Sequence, residues 1–451
     1  MKKLFLIGGL LVSTLINAQS IGYGDAAVLF GTEEINGTSR FNAMSGAFGS
    51  LGGDLSAGDI NPAGLAVFSN SEAAFTIGFR NTNLSTSYYG TNTDNNDDYL
   101  TFAQAGGVLV FGSPKQDNWN KFALGFNYSL VKDFENNYNI NGNSGISDFN
   151  SDPFLNNDNN PNNDVFYENV NNQFFGNFTK GENSKFTLSF AAKYNENLSL
   201  GVSLISHRID FYQRALFEES NNDGNGNLLD ASLLHELSTY GSGAGLNFGL
   251  IAKPIYELRI GLAVQTPIWY NLTDEFANDL EIKVSNNSQL YRETSDVKIF
   301  DYNLKTPAKA TASIAYLFGS DGLISLDYTY KNTKNTKLKP GNEFVKENDF
   351  LSANLKNSSA VRVGAEWRIG KMMSLRGGFH YIESPYKDAV DSDHIKGFSV
   401  GTGFKFGRNV KLDLAYLKSQ KTDIYNFTNA SNAADLDINH NRITATLAFN
   451  F

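Results

Sequence analysis

The feature that most constrains this chain is the alternation of apolar and polar residues along its short segments. In the last ten residues, RITATLAFNF, the odd-numbered positions from Ile443 to Phe451 are apolar, whereas most even-numbered positions are polar. Residues that alternate in this way lie on opposite faces of a β-strand. The pattern recurs along the chain, for example at 122–130, 186–194 and 361–369. The sequence therefore predicts an all-β fold whose strands each have one apolar face.

The connections between these segments alternate in length. Six are tight, whereas seven are long and rich in Asn and Asp. The long connections cover residues 81–100, 133–184, 211–240, 271–294, 331–357, 384–395 and 420–440. Short turns on one side and long loops on the other are typical of bacterial transmembrane barrels. Thirteen connections predict an antiparallel β-barrel of 14 strands, with both termini on the short-turn, periplasmic side.

The first residues have the layout of a secretory signal peptide. Lys2 and Lys3 precede an apolar run from Leu4 to Ile16, and the small residue Ala18 follows. The run is shorter than the roughly 20 residues of a membrane-spanning helix, so we expect residues 1–18 to be removed; an uncleaved anchor is the alternative. In a water-soluble barrel the apolar faces would point inward. Export and the terminal Phe451 favour the bacterial outer membrane, where these faces would contact lipid.

Composition excludes several classes of function. The net charge of -10 argues against nucleic acid as a partner, because phosphate binding requires a basic surface. The chain has no cysteine, so disulfides do not hold it together. The five histidines have no metal-ligand spacing, and no nucleophile motif or Ser/His/Asp set stands out. We expect a monomeric, non-enzymatic protein with no cofactor and no metal.

Two strand-like segments contain interruptions. Residues 295–317 include Pro307, which cannot donate to a β-ladder, and we interpret them as one strand with a break at that proline. Residues 101–111 contain Gly106 and Gly107 and change face partway. Both features predict local distortions of the barrel wall.

The segment LLDASLLHEL, Leu228–Leu237, is predicted to be a helix in an extracellular loop. Asp230 is placed to cap it, and Leu233, Leu234 and Leu237 would share one face. That face would either pack on the barrel rim or offer an apolar landing site for a ligand. With Phe276, these three leucines form the candidate ligand groove.

The segment from Gly37 to Phe68 contains the run AGDINPAGLAVF, in which a turn at Asn61 and Pro62 precedes apolar residues. With its small-residue, Gly-rich run and its Asn-Pro-Ala motif, it resembles the plug of the long-chain fatty-acid transporter (FadL/TodX) family of outer-membrane proteins. Segments 240–267, 304–318, 375–389 and 396–416 resemble family segments in the same order. The resemblance covers most of residues 37–451, but not the large loops.

The resemblance implies an N-terminal plug (hatch) at residues 19–70 inside the lumen of a transmembrane barrel formed by 71–451. The plug motif is Asn61, Pro62, Ala63 and Gly64. It also implies that hydrophobic ligands land on an extracellular groove, enter a lumenal pocket and leave through an opening made by a kinked strand. Gly106 and Gly107 are the candidate kink; the alternative is a bulge that relieves barrel twist. We further expect Asn61 to be buried and to bind backbone groups of the plug.

Cations on the polar strand faces would point into the lumen. Arg259, Lys309, Arg362 and Arg376 are candidates to bind the carboxylate of a fatty acid, since an unpaired buried carboxylate is costly. The alternative is that they pair with Glu366, with other lumenal acids or with the plug.

The leading hypothesis is a channel for passive uptake of hydrophobic small molecules, namely long-chain fatty acids or aromatic compounds. The expected partners are such a ligand and outer-membrane lipid. The second hypothesis is a non-transporting barrel that acts as partner of a secretion or assembly complex. Pocket shape is set by the loops, so the sequence does not name the ligand.

Overall fold

The computed structural model describes residues 21–112, 118–156, 164–428 and 431–451, and the predicted signal peptide lies outside them. The strands are β1 (Glu72–Tyr88), β2 (Thr91–Gly112), β3 (Trp119–Asp133), β4 (Asn136–Gly142), β5 (Asn169–Tyr194), β6 (Leu198–Asn222), β7 (Leu228–Ala252), β8 (Leu258–Gln265), β9 (Trp269–Val284), β10 (Leu290–Thr294), β11 (Lys298–Lys305), β12 (Lys309–Phe318), β13 (Gly322–Lys331), β14 (Lys337–Lys339), β15 (Ser358–Ile369), β16 (Met373–Ile382), β17 (Ile395–Phe406), β18 (Val410–Tyr425) and β19 (Ala434–Asn450). The α-helices are α1 (Tyr23–Phe30), α2 (Ser39–Ala43), α3 (Ala57–Ile60) and α4 (Val345–Asn354), and 3-10 helices cover Pro62–Val67, Thr333–Asn335 and Asp391–Asp393. No helix among the described residues is long and apolar enough to cross a membrane.

All strands belong to one antiparallel sheet that closes on itself, because β1 pairs with both β2 and β19. Four barrel strands consist of more than one segment. They are β3 with β4, β8 with β9, β10 with β11 and β12, and β13 with β14. The nineteen segments therefore form a closed barrel of fourteen strands, which confirms the predicted fold.

Two neighbouring barrel strands break at the same height. β8 gives way to β9 at Pro267, and β11 gives way to β12 at Pro307. Thr306 bridges the gap, because its N–H donates to the carbonyl oxygen of Ile268 (3.0 Å) and its hydroxyl accepts from the N–H of Ile268 (2.9 Å). The predicted break at Pro307 is confirmed, and a side-chain contact replaces part of the ladder that proline cannot complete.

The faces of β6 show how the wall is oriented. Leu200, Val202 and Leu204 lie on the outside, where Leu204 is 55% exposed, whereas Ser199 and Ser203 are buried toward the lumen. The same alternation in the other strands gives the barrel an apolar outer belt, which is the surface that lipid covers in a membrane barrel. The predicted orientation of the apolar faces is therefore confirmed.

Several of the predicted long loops are wrong, because the strands continue through them. β1 and β2 run on to a two-residue turn at Tyr89 and Gly90, whose φ angles are 44° and 84°. Positive φ at both positions suits a turn whose twist matches the flanking strands. β6 and β7 likewise extend to a turn at which the Asp223 carboxylate accepts from the N–H of Asn225 (2.8 Å). The Asn-rich runs thus extend the wall beyond the apolar belt.

The helix predicted over Leu228–Leu237 is also wrong, because this segment begins β7 and pairs with β6 and β9. Leu229, Ala231 and Leu233 are buried toward the lumen. Apolar residues at 229, 233 and 237 fit a period of two as well as a helical period, so the pattern alone was ambiguous. Hydrogen-bonded neighbours on both sides decide in favour of a strand.

Candidate functional site: the plugged lumen

Residues 21–71, here called the plug, lie inside the barrel and contact its wall at several strands. The N–H of Ser39 donates to Oγ1 of Thr446 in β19 (2.6 Å), and the N–H of Phe48 donates to the carboxylate of Asp327 in β13 (3.0 Å). Ala43, Met44 and Phe48 have no exposed surface, as expected for a segment enclosed by the wall. The plug therefore fills the lumen at the short-turn end.

Asn61 organises the predicted plug motif. It is 1% exposed, and its amide nitrogen donates to the carbonyl oxygen of Gly49 in the plug (2.7 Å). Its side-chain oxygen accepts from the N–H of Ala63 (3.1 Å), so it caps the 3-10 helix that starts at Pro62. Proline suits the first helical position because the N–H it lacks would have no helical partner. The prediction for Asn61 is confirmed, and the amide also reaches the wall, at the carbonyl oxygen of Leu250 (3.0 Å).

Glycines in the wall make room for this motif, and they were not among the residues predicted from the sequence. A Cβ atom on Gly249 of β7 would lie 1.9 Å from the side-chain oxygen of Asn61. A Cβ atom on Gly201 of β6 would lie 2.4 Å from the backbone nitrogen of Ala63. Both glycines occupy inward-facing positions of their strands. A glycine at such a position often marks a close approach of another backbone, and this is the sequence signal that could have identified them.

Ion pairs fix the plug on several sides. Glu33 binds Lys309 of β12 (2.7 Å), and Arg40 binds Glu366 of β15 (2.7 Å). Burial raises the pKa of Glu33, but the charges of Lys309, Lys331 and Lys185 together outweigh this effect and hold the pKa well below its ordinary value. Asp59 near the motif binds Lys185 of β5 (3.1 Å). These contacts join the plug to three separate parts of the wall.

The four predicted carboxylate-binding cations differ in their partners. Arg259 donates to the carbonyl oxygen of Leu51 in the plug (2.5 Å), and Lys309 binds Glu33 as described. Arg376 binds Glu366 (2.8 Å) and a second acid, Asp413 (2.5 Å). Three of the four candidates are therefore already engaged by the protein.

Arg362 of β15 is the fourth candidate. Within the described residues, its Nε atom is buried and has no hydrogen-bond partner. It lies opposite Asp327 of β13 on one side and opposite His380 of β16 on the other. The guanidinium group thus has at least one donor that a ligand oxygen could accept from.

An apolar chamber surrounds α1 above the plug motif. Phe30 of α1 packs edge-on against Phe134 (5.7 Å between ring centroids) and Phe211 (5.6 Å). The buried side chains of the chamber come from α1, from α4 and the residues that flank it, and from several wall strands and the junctions between their segments. They are Ala26, Ala27, Phe30, Phe134, Ile205, Ile209, Phe211, Leu237, Ile268, Tyr270, Leu272, Tyr302, Leu304, Leu338, Phe344, Leu351 and Leu355. The helix α1 therefore occupies apolar space inside the lumen.

Two extracellular connections cover α1. The ring of Phe350 in α4 would lie 2.7 Å from a Cβ atom on Gly24, so the two helices are in close contact. The hydroxyl of Tyr386, between β16 and β17, donates to the carboxylate of Asp25 (2.9 Å). Burial raises the pKa of Asp25. These contacts close the chamber on the side opposite the plug motif.

The predicted groove residues are only partly brought together. Leu237 of β7 and Phe276 of β9 are cross-strand partners at the edge of the chamber. Leu233 is buried in a neighbouring apolar cluster nearer the extracellular end. Leu234 has the opposite orientation, because adjacent residues of a strand point to opposite faces. Two of the four residues therefore form one apolar edge.

Gly106 and Gly107, the predicted kink, remain regularly paired with β1 and β3. The irregularity of β2 lies at Ala103, where its register with β1 shifts. In the described residues, the ladder between β2 and β3 ends at Gln104 and Ser129, although β2 continues to Thr91. The wall thus has a break in its hydrogen bonding above the two glycines.

The barrel and its lumen define a class of protein: an outer-membrane β-barrel whose passage is closed by its own N-terminal segment. A family model described as "Outer membrane protein transport protein (OMPP1/FadL/TodX)" matches residues 25–451. The chain belongs to this family of outer-membrane transport proteins, as the resemblance predicted.

Individual relatives are distant. Outer membrane protein P1 of Haemophilus influenzae is 27% identical over 188 residues, which are 40% of this chain and 39% of that protein; the match spans about two fifths of the relative. A FadL homologue from Pseudomonas aeruginosa has 14% identity and a TM-score of 0.61, covering 93% of this chain and 99% of that one. The toluene transporter TodX of Pseudomonas putida has 12% identity and a TM-score of 0.56, covering 94% and 99%. These two structures support the fold alone.

Proposed function

We propose that the protein allows hydrophobic small molecules, such as long-chain fatty acids or aromatic compounds, to cross the outer membrane passively. The observation that carries this proposal is the apolar chamber around α1, which lies in a lumen closed by the plug. A polar solute would lose its hydration there, whereas a hydrophobic one gains about 25 cal/mol for each Å² of apolar surface buried. The transport family and the name of its TodX member agree with this class of substrate.

Entry is proposed at the edge formed by Leu237 and Phe276. From there a ligand would reach the space that Phe30 and its neighbours in α1 occupy. Because α1 offers apolar contacts of the same kind as a hydrophobic ligand, the ligand can replace it without leaving the chamber wall exposed to water. We therefore propose that α1 moves when ligand binds.

Exit is proposed to be lateral, into the lipid, because the plug occupies the axial route. The break between β2 and β3 above Gln104 and Ser129 supports this route. Leu100 and Phe102 of β2 are exposed on the outer surface beside it, with 70% of Leu100 accessible. Gly106 and Gly107 lie below the break, so the proposed opening is displaced from the predicted kink.

For a fatty acid, we propose that Arg362 binds the carboxylate. Its Nε is unpartnered, as is that of Arg259, but among the described residues Arg362 is the one candidate whose side chain forms no hydrogen bond or ion pair. A charge-assisted hydrogen bond is roughly twice as strong as a neutral one. Arg259, Lys309 and Arg376 are less suited, because each would first have to release a plug or wall partner.

Native mass spectrometry of the purified protein with added oleate and, separately, with added toluene tests the proposal. We expect a one-to-one adduct that is lost in Leu304→Gln, which places an amide in the chamber, and retained in Asn303→Gln. Asn303 is the adjacent residue of β11 and is exposed on the outer face. Failure of the wild-type protein to bind either oleate or toluene would contradict the proposal.

A further inference from the structure

A crevice of about 310 Å³ opens at the short-turn end of the barrel, between the last residues of the plug and the hairpin of β17 and β18. Its lining includes Phe68, Glu72, Lys405, Arg408, Val410 and Lys411. Short turns face the periplasm in barrels of this kind, so the crevice opens to the periplasm. It lies on the opposite side of the plug from the apolar chamber and plays no part in the proposed uptake route.

Two lysines with like charge face each other across this hairpin. Lys405 of β17 and Lys411 of β18 are direct cross-strand partners. Both occupy lumen-facing positions. Lys405 lies on the same face of β17 as Ser399, which binds Ser45 of the plug. Lys411 lies on the same face of β18 as Asp413, which binds Arg376 of the wall. Like charges directly opposite each other in a sheet destabilise it. A pair of this kind is costly unless an anion lies between the two ammonium groups.

The protein supplies only part of the required negative charge. Lys411 binds Glu72 of β1 (2.6 Å). In the described part of the chain, neither Lys405 nor Arg408 forms an ion pair. The crevice lining therefore contains three cationic side chains and one carboxylate, which leaves two positive charges uncompensated.

The charged groups deeper in the lumen do not offset this excess. Glu366 accepts from Arg40, Arg368 and Arg376, and Arg376 also binds Asp413. With Asp54, whose carboxylate also acts on Arg40, that network contains three guanidinium groups and three carboxylates, so it has no spare negative charge. The overall charge of the chain is nevertheless -10, which makes a concentration of positive charge at the periplasmic mouth a local feature.

We propose that this crevice binds a doubly charged oxyanion of the phosphate class, either free or as the head group of an anionic lipid. Two ammonium groups and one guanidinium group from the same hairpin provide several donors to such a group, and Arg suits phosphate because its planar fork matches the oxygens. A dianion would neutralise the two uncompensated charges. A long-chain carboxylate fits less well, since the lining offers only Val67, Phe68 and Val410 as large apolar side chains.

Calorimetric titration of the detergent-purified protein with inorganic phosphate and with pyrophosphate tests the site. We expect binding that weakens with salt, and Lys405→Gln and Arg408→Gln should each lower the affinity about tenfold, as expected for losing one charge-assisted hydrogen bond. Lys371→Gln removes the same charge from a nearby periplasmic turn outside the crevice and should bind like the wild type. Neither Lys405 nor Arg408 holds the plug, so both variants should fold.

A second readout separates binding from a structural role. Without ligand, Lys405→Gln should melt at the same or a slightly higher temperature than the wild type, because it removes like-charge repulsion. With phosphate, only the wild type and Lys371→Gln should gain stability. In nanodiscs, a Lys405-dependent retention of phosphatidylglycerol over phosphatidylcholine would assign the site to a lipid head group, whereas phosphate binding undiminished by phosphatidylglycerol would assign it to a free anion.

Three results would overturn the proposal. They are no binding of phosphate, pyrophosphate or phosphatidylglycerol by the wild type, unchanged binding in Lys405→Gln, and tighter binding of octanoate than of phosphate. Because none of these measurements depends on the apolar chamber, their outcome is independent of the proposed uptake function.

Discussion

The side-chain amide of Asn61 in the plug donates a hydrogen bond to the carbonyl oxygen of Leu250 in the barrel wall (3.0 Å). The same amide binds Gly49 of the plug (2.7 Å), so one side chain joins two parts of the plug to β7. Buried backbone carbonyl groups need hydrogen-bond donors, and the Asn61 amide supplies one to each of these two. Asn61 is therefore one of the points at which the plug is fixed to the wall.

Replacing Asn61 with Ala should loosen the plug while the barrel remains folded. The change leaves buried carbonyl oxygens without donors, at a cost of about 1–3 kcal/mol. The chain has no native cysteine, so a single reporter such as Ala47→Cys, which is fully buried, measures plug opening by its rate of maleimide labelling. Labelling should be faster in the Asn61→Ala background; an equal rate would show that Asn61 does not hold the plug.

Gly249→Ala should displace the plug motif. The added Cβ would lie 1.9 Å from the side-chain oxygen of Asn61, closer than any two such atoms approach, so Asn61 or β7 must shift. Gly112→Ala in β2 is the matched control, because a Cβ atom there has nothing within 4 Å. We expect the temperature at which the plug unfolds to be lower in Gly249→Ala and unchanged in Gly112→Ala. Equal midpoints for the two variants would argue against the close approach.

Phe30→Ala should destabilise the docking of α1 by about 3–5 kcal/mol, the usual cost of removing a buried phenyl group. Phe30 is 2% exposed and packs against Phe134 and Phe211. Hydrogen exchange of the α1 amides should rise strongly, whereas Leu29→Ala, a half-buried position of the same helix, should have a smaller effect. Protection of α1 that is unaffected by Phe30→Ala would contradict its role in the chamber.

The contribution of Asp54 to plug stability should increase as the pH falls from 7 to 4. Burial raises the pKa of Asp54 to about 6 from an ordinary value of 3.8, against the opposing effects of Arg40 and Thr38. Since the folded state binds this proton more tightly than the unfolded state, its contribution is complete below pH 3.8 and is lost as the pH rises through about 6. Maleimide labelling of the buried reporter measures this when the protein with Asp54 and the Asp54→Asn variant are compared at each pH, so that the pH dependence of the thiolate cancels. The labelling rate with Asp54 relative to that of the variant should fall as the pH falls through about 6.

Arg362→Gln should reduce uptake of oleate and leave uptake of toluene unchanged, because only the fatty acid carries a carboxylate. The expected loss is about tenfold, for one charge-assisted hydrogen bond. Arg208→Gln, an exposed position of β6, is the control. If both substrates were affected equally, Arg362 would have a structural role instead.

The barrel was predictable from the sequence because strand alternation and loop spacing are local properties. Pro307 could be placed as a break because proline cannot donate to a ladder. The strand at Leu228–Leu237 was misassigned, because Leu229, Leu233 and Leu237 fit both a helix and a strand. The deciding factor, pairing with β6 and β9, involves residues far away in the chain.

The candidate site was predictable only in part, for a related reason. Asn61 could be identified from its motif, but Gly201 and Gly249 acquire their role from the plug packed against them. Alternation along the strands predicts that Arg259 and Arg376 point inward. It does not predict which residues they bind. The break beside Ala103 depends on where the pairing of β2 and β3 ends, which no residue type signals.

An uptake assay in whole cells is the strictest test of the proposal that this barrel admits hydrophobic compounds. Cells that lack the protein, cells that express it, and cells that express the Leu304→Gln variant are compared for accumulation of labelled oleate and labelled toluene. We expect slower uptake of at least one compound without the protein, recovery with the wild type, and no recovery with the variant. Unchanged uptake across a broad panel of hydrophobic compounds would contradict it.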